Sequence, residues 1–180
     1  MNRQEKRAEI GVPEGAKLLI SVGELSVRKN HRVVVEALQG LPDDYWYVIV
    51  GKGQLEEELK AMDTTGRLKL LGFRTDIVEL LRSSDLFVFP SLQEGLPVAL
   101  MEAMASGLTC VVSDIRGNTD LIDNTIGNVV PARKSISWVK AIETMDTKML
   151  RIHGNTCAEI IRQFDTAAVM KRIRSLYKEI

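Results

Sequence analysis

Tyr45-Trp46-Tyr47-Val48-Ile49-Val50, followed at once by Gly51-Lys52-Gly53, settles the fold class. An unbroken run of aromatic and β-branched residues describes a strand covered on both faces, as in a parallel sheet, and the glycines describe its exit. Outward from it, similar short apolar runs recur at Lys17–Val22, Leu68–Leu71, Leu86–Phe89, Thr109–Val112 and Gly127–Val130. Helical patterns near Asn30–Leu38, Gln54–Met62, Asp76–Arg82, Pro97–Ser106 and Asn118–Asp123 lie between them. This alternation predicts an α/β fold, a Rossmann-like doubly wound parallel sheet. After about Pro131 the pattern is helical to the end. The last helix, Thr166–Ile180, sets Val169, Ile173, Leu176 and Ile180 beside Lys171, Arg172, Arg174 and Lys178. Such a helix packs on its own domain, or docks on another domain or an anionic membrane surface.

The chain has 180 residues, 45% apolar and 27% charged, which suits one soluble globular domain with a core of its own. Lys plus Arg and Asp plus Glu are 24 each, so the electrostatic footprint of a general nucleic-acid binder is missing. A local phosphate site survives that balance, since it needs only one or two cations and some aimed amides. The polar start MNRQEKRAEIG is no signal peptide, and no stretch has the roughly 18 apolar residues of a membrane span. Cys110 and Cys157 read as reduced thiols of a cytoplasmic protein, and with His31 and His153 they are too few for a zinc site.

In a parallel sheet, ligands bind beyond the carboxyl ends of the strands. Three of those loops carry unusual residues. In the first, Gly23 permits a tight exit and Lys29 stands just before a helix, where it meets a phosphate or is merely a surface lysine. In the second, Gly51 and Gly53 let the backbone approach a ligand, or make a plain turn; neither a full Gly-x-Gly-x-x-Gly nor a P-loop pattern is present.

The third loop runs Phe89-Pro90-Ser91-Leu92-Gln93-Glu94-Gly95-Leu96-Pro97 and continues as Val98-Ala99-Leu100-Met101-Glu102-Ala103-Met104-Ala105-Ser106-Gly107. Pro97 suits a first helical turn and Gly107 a helix end. From Val98 to Ala105 every residue but Glu102 is apolar, so the helix is expected to be buried. A carboxylate there must be paired or hydrogen-bonded, if only to a neighbouring amide. Glu94 lies in the loop aimed at the helix start, where Gly95, Leu96 and Val98 offer amides to an anion. Two carboxylates flanking such a helix end suit sugar hydroxyls and a diphosphate, the two parts of a nucleotide-sugar.

Pro-Ser-x-x-Glu-Gly-x-Pro (90–97) followed by Glu-Ala-Met-Ala-x-Gly (102–107) resembles the Glu-x7-Glu signature of family 4 glycosyltransferases of the GT-B fold, also called glycosyl transferases group 1. Ser21-Val22-Gly23-Glu24-Leu25, Lys29-Asn30-His31, Val50-Gly51-Lys52-Gly53, Leu71-Gly72-Phe73-Arg74, Ser84-Asp85-Leu86, Val112-Ser113-Asp114 and Gly117–Ile122 continue the likeness over about residues 16 to 132. It implies the C-terminal, donor-binding half of a retaining, metal-independent enzyme, with no cofactor beyond its UDP-, GDP- or ADP-sugar substrate. By the resemblance Glu102 binds the ribose and Glu94 the transferring sugar, as the catalytic carboxylate without being a covalent nucleophile. Lys29 and the amides after Glu94 hold the diphosphate. Gly53, Leu55, Phe73 and Arg74 lie near the base.

The resemblance also implies a glycan or lipid-linked acceptor, a role in polysaccharide assembly, and contact with the inner face of a membrane. An N-terminal acceptor domain is expected to complete the cleft; residues 1–15 look like a linker-like start, and the chain alone is expected to bind donor and transfer sugar poorly. Members often carry Arg after the first glycine; here the position is Glu24, with Arg28 close by to compensate. A non-catalytic nucleotide-sugar module and a GT-B sugar-nucleotide epimerase share these features. Glycoside hydrolysis fits less well, because one carboxylate stands at a helix entrance and the other inside.

Overall fold

The computed structural model describes residues 2–145 and 155–165, so the expected helix Thr166–Ile180 lies outside the described residues. Six parallel strands, β1 (Lys17–Val22), β2 (Tyr45–Val50), β3 (Leu68–Leu70), β4 (Leu86–Phe89), β5 (Thr109–Ser113) and β6 (Asn128–Val130), lie in the order β3-β2-β1-β4-β5-β6. The register is continuous from Lys17↔Tyr45 to Val22↔Val50. The order reverses between β1 and β4, so the loops leaving those neighbours diverge and open a crevice.

The strands are apolar on both sides because both sides are covered. Leu18, Ile20, Val48, Phe87, Phe89, Cys110 and Val112 face one core, against α4 (Ile77–Ser83) and α5 (Val98–Ala105). The alternate residues Leu19, Tyr47, Ile49, Val88 and Val111 face a second core, against α2 (Arg32–Leu38), α3 (Glu56–Met62) and α7 (Ser135–Glu143). Period-two side-chain alternation thus feeds two hydrophobic layers from a single sheet. One polar chain interrupts the second layer. Ser21 Oγ lies 2.7 Å from Tyr47 Oη, which lies 3.2 Å from His31 Nδ1 at the start of α2.

Two segments differ from expectation. Residues 1–15, expected to be linker-like, contain α1 (Arg3–Glu9), opened by a reciprocal capping box between Asn2 and Glu5. This helix is attached by charge. Arg7 donates to Ser83 O at 2.7 Å and Ala16 O at 2.8 Å, and pairs with Asp85 at 2.6 Å; Arg3 meets the same carboxylate. Lys6 reaches Asp76 at 2.8 Å. The second difference is α6, which spans Arg116–Thr119 rather than 118–123; within it, buried Asn118 turns its side chain back to Ser113 O at 3.1 Å.

Candidate nucleotide-sugar site

The loops after β1 and β4 meet over the crevice. Glu94, its side chain 7% exposed, accepts from Lys29 Nζ at 2.7 Å and from Arg28 Nη1 at 3.2 Å, both through Oε1. Lys29 also stands 4.8 Å over the Phe89 ring, which shields one side of its ammonium. Leu92 N–H donates to Arg28 O at 2.8 Å, tying the two loops by backbone as well. Asn30, with φ of 54°, spans the same gap by donating to Pro90 O at 3.1 Å and Ala132 O at 2.8 Å. The sequence placed Lys29 and Glu94 on separate loops; the fold makes them an ion pair.

The start of α5 is open. A Cβ on Gly95 would meet nothing within 4 Å. Among the described residues, the Gly95, Leu96 and Ala99 amides donate to no protein acceptor, while the Val98 N–H turns back to Leu96 O at 3.0 Å. Unpaired amides at a helix start, beside two cations, make an anion site.

Glu102 corrects an expectation. The helix is not buried all round: Leu100, Ala103 and Met104 face the core, but Val98, Glu102 and Ala105 are exposed along the opposite side. A step of about 100° per residue puts positions 98, 102 and 105 on one stripe. The apolar character of Val98 and Ala105 therefore marks an open surface rather than core. Glu102 lines a cavity of about 390 Å³ with Leu96, Val98, Met101, Ile161 and Phe164. Leu96 is 67% exposed and Val98 55%.

The glycines of the second loop have a packing role as well. A Cβ on Gly51 would lie 1.9 Å from Gly23 O, and one on Gly53 2.3 Å from Leu25 O. The first loop fills the space that a side chain would need at both positions. Gly23 N–H donates to Val50 O at 2.9 Å and Leu25 N–H to Lys52 O at 3.1 Å; Leu55 N–H, expected near a ligand, donates to Leu25 O at 3.1 Å. Two loops from adjacent strands are thereby zipped into one platform.

Phe73 stands 74% exposed beside the platform. Arg74 points its guanidinium elsewhere, to Asp76 at 2.6 Å and Glu9 at 2.5 Å. Arg74 first, then Lys6, holds the Asp76 carboxyl well below its usual range, and Lys6 and Arg74 depress Glu9 likewise. Burial pushes the His31 imidazole down to about 4, so it is neutral at pH 7.

Sequence reasoning missed the contact between Gly117 and the Glu94 backbone, and the Glu94 partnership of Arg28 was not anticipated. A glycine just after a strand end was the only signal for the first. No group of three or more His, Cys, Asp or Glu side chains that could hold a metal occurs among the described residues. No described helix is long and apolar enough to cross a membrane.

Comparison with known proteins gives the family and the fold. The UDP-Gal:alpha-D-GlcNAc-diphosphoundecaprenol alpha-1,3-galactosyltransferase of Escherichia coli is 35% identical over 185 residues, covering 96% of this chain and 48% of that protein. An N,N'-diacetylbacillosaminyl-diphospho-undecaprenol alpha-1,3-N-acetylgalactosaminyltransferase of Campylobacter jejuni is 28% identical, covering 91% and 45%. The chain thus spans about half the length of these relatives. In fold, it superposes on Anabaena Alr3699/HepE, solved with UDP and glucose, at a TM-score of 0.89 and 24% identity, covering 99% of this chain and 52% of that one. With the family model for glycosyl transferases group 1 matching residues 2–151, the chain belongs to that family and carries a GT-B glycosyltransferase domain.

Proposed function

We propose that this chain is the donor-binding half of a retaining, metal-independent glycosyltransferase that moves a hexose-type sugar from a nucleoside-diphosphate donor to a glycan or lipid-linked acceptor. The single observation that carries this is the open start of α5, with free Gly95 and Leu96 amides, set between a cation-held carboxylate and an exposed one. The diphosphate takes the amides and Lys29. Glu102, on the exposed stripe, takes the ribose hydroxyls, and Glu94 takes a hydroxyl of the transferring sugar. Phe73 offers its exposed ring to the base, while Arg74, through Asp76 and Glu9, braces the loop that carries it.

The chemical demand of the step is a stable leaving nucleoside diphosphate. Aimed amides and a lysine ammonium supply that stabilisation without reorganising during reaction, and so favour departure of the diphosphate from the sugar carbon. Front-face substitution needs no covalent nucleophile, which leaves Glu94 to orient the sugar. UDP is the first donor to test, because the E. coli relative is named for UDP-Gal. The names of both relatives also favour an undecaprenyl-diphosphate-linked acceptor.

Calorimetric titration with UDP-, GDP- and ADP-sugars, repeated on Glu102→Ala, tests the reading. Loss of a ribose contact weakens every nucleotide by about 1–3 kcal/mol. Unchanged affinities across the panel would remove Glu102 from the site.

A further inference from the structure

We propose that Asn118 and Ser113 are positioning residues for Glu94: through one buried peptide group they fix where its carboxylate stands for the transferring sugar. The proposal rests on the nucleotide-sugar reading and adds to it two side chains that touch no ligand.

The peptide group joining Ser91 to Leu92 is gripped at both edges. Its N–H donates across the crevice to Arg28 O at 2.8 Å, and its carbonyl accepts from Ser113 Oγ at 2.5 Å. A peptide group is planar, so two anchors on opposite edges set the direction in which the chain leaves toward Glu94. The Ser113 hydroxyl has a second acceptor near it, Phe89 O, but at 3.4 Å that bond is much the weaker. Asn118 holds Ser113 from behind, its Nδ2 donating to Ser113 Oγ at 3.0 Å and to Ser113 O at 3.1 Å. An amide donor on the Ser113 oxygen leaves the hydroxyl proton for Ser91 O and strengthens that bond. Ser91, Ser113 and Asn118 are each 0% exposed, so water does not compete for these groups.

Stability alone does not account for the cluster. Asn118 Oδ1 and Ser91 Oγ are buried with no hydrogen-bond partner among the described residues. Unpaired buried polar atoms cost free energy, and apolar side chains of similar shape would avoid that cost. What the polar chain secures is the loop. Gly117, the neighbour of Asn118, packs against the Glu94 backbone, so α6 supports this loop by contact and by hydrogen bond together. The proposed base and ribose contacts lie elsewhere, on Phe73 after β3 and on Glu102 within α5. Losing the anchor at Ser91 O therefore displaces Glu94 and leaves the nucleoside end in place.

Calorimetry with UDP-galactose and UMP on the unmodified chain, Ser113→Ala, Asn118→Ala and Ser113→Thr tests this, beside their melting temperatures. Ser113→Ala and Asn118→Ala are each expected to weaken UDP-galactose about tenfold while UMP changes by less than about twofold. Ser113→Thr, which keeps the hydroxyl, is expected to recover most of the loss. Should Asn118→Ala fail to fold, the two Ser113 variants decide the matter by themselves. A lowered melting temperature with an unaltered UDP-galactose-to-UMP ratio, or no recovery in Ser113→Thr, overturns the positioning role but leaves the nucleotide site standing. If the unmodified chain binds neither ligand, the nucleotide-sugar reading falls and the positioning role with it.

Discussion

Gly117 lies directly beneath Glu94: a Cβ at position 117 would stand 2.7 Å from the Glu94 carbonyl oxygen and 3.0 Å from its Cβ. Backbone cannot yield as a side-chain tip does, so Gly117→Ala has to push the Glu94 loop away. We expect a stability loss of about 1–3 kcal/mol, together with blunted discrimination between a nucleotide-sugar and its bare nucleoside diphosphate. Thermal melts and paired titrations read the two effects separately.

Gly51→Ala is expected to be more severe. Its Cβ would fall 1.9 Å from Gly23 O, and the residue holds a φ of 150°. The loops after β1 and β2 would have to part, at a cost of about 3 kcal/mol or more. Urea denaturation measures it, with Gly66→Ala as a contrast that meets nothing within 4 Å and tests backbone strain alone.

His31 predicts a pH dependence above the carboxylate range. Its folded value of about 4 lies below the unfolded 6.5, so the folded state binds fewer protons between them. Stability is therefore complete above about 6.5 and declines as pH falls toward 4, by up to roughly 3 kcal/mol. His31→Gln should flatten that slope in denaturation curves collected across the same interval.

Helix α1 should respond at lower pH. Asp76 and Glu9 have depressed carboxyls, so their contribution is present above the ordinary carboxylate value near 4 and disappears as pH falls through the lower folded values. Hydrogen exchange at residues 3–9 should accelerate there before the sheet opens. Arg74→Gln should give fast exchange in that helix already at neutral pH. Equal protection in both proteins would show that Arg74 does not fasten α1.

The strands were readable because a doubly covered strand has few options for its residues. Tyr45–Val50 and Leu86–Phe89 are almost wholly apolar for the same reason, and their boundaries match expectation. Helix α1 was not readable by periodicity, since RQEKRAE has no apolar face; Asn2 and Glu5, three residues apart, were its only local signal. For the site, Glu94, Lys29 and the α5 start were readable as types in loops at the correct strand ends. Their pairing was not, because it depends on how β1 and β4 lie side by side. The exposure of Glu102 was misread since an apolar stripe looks alike whether it meets a core or an open cavity. The packing of Gly51 and Gly53 on the first loop was not readable for a related reason: a missing Cβ does not reveal what fills the space.

The sheet also has short ends. Its two edge strands, β3 and β6, are three residues each, and Asn128 of β6 spends its side-chain amide on Ala141 O at 3.0 Å. A short edge offers few unpaired backbone groups to a foreign strand. Assembly by continuing the sheet from one molecule into the next is therefore disfavoured. The strand-end loops and the exposed stripe of α5 stay open to other proteins, and there chain association and ligand chemistry would compete for the same ground.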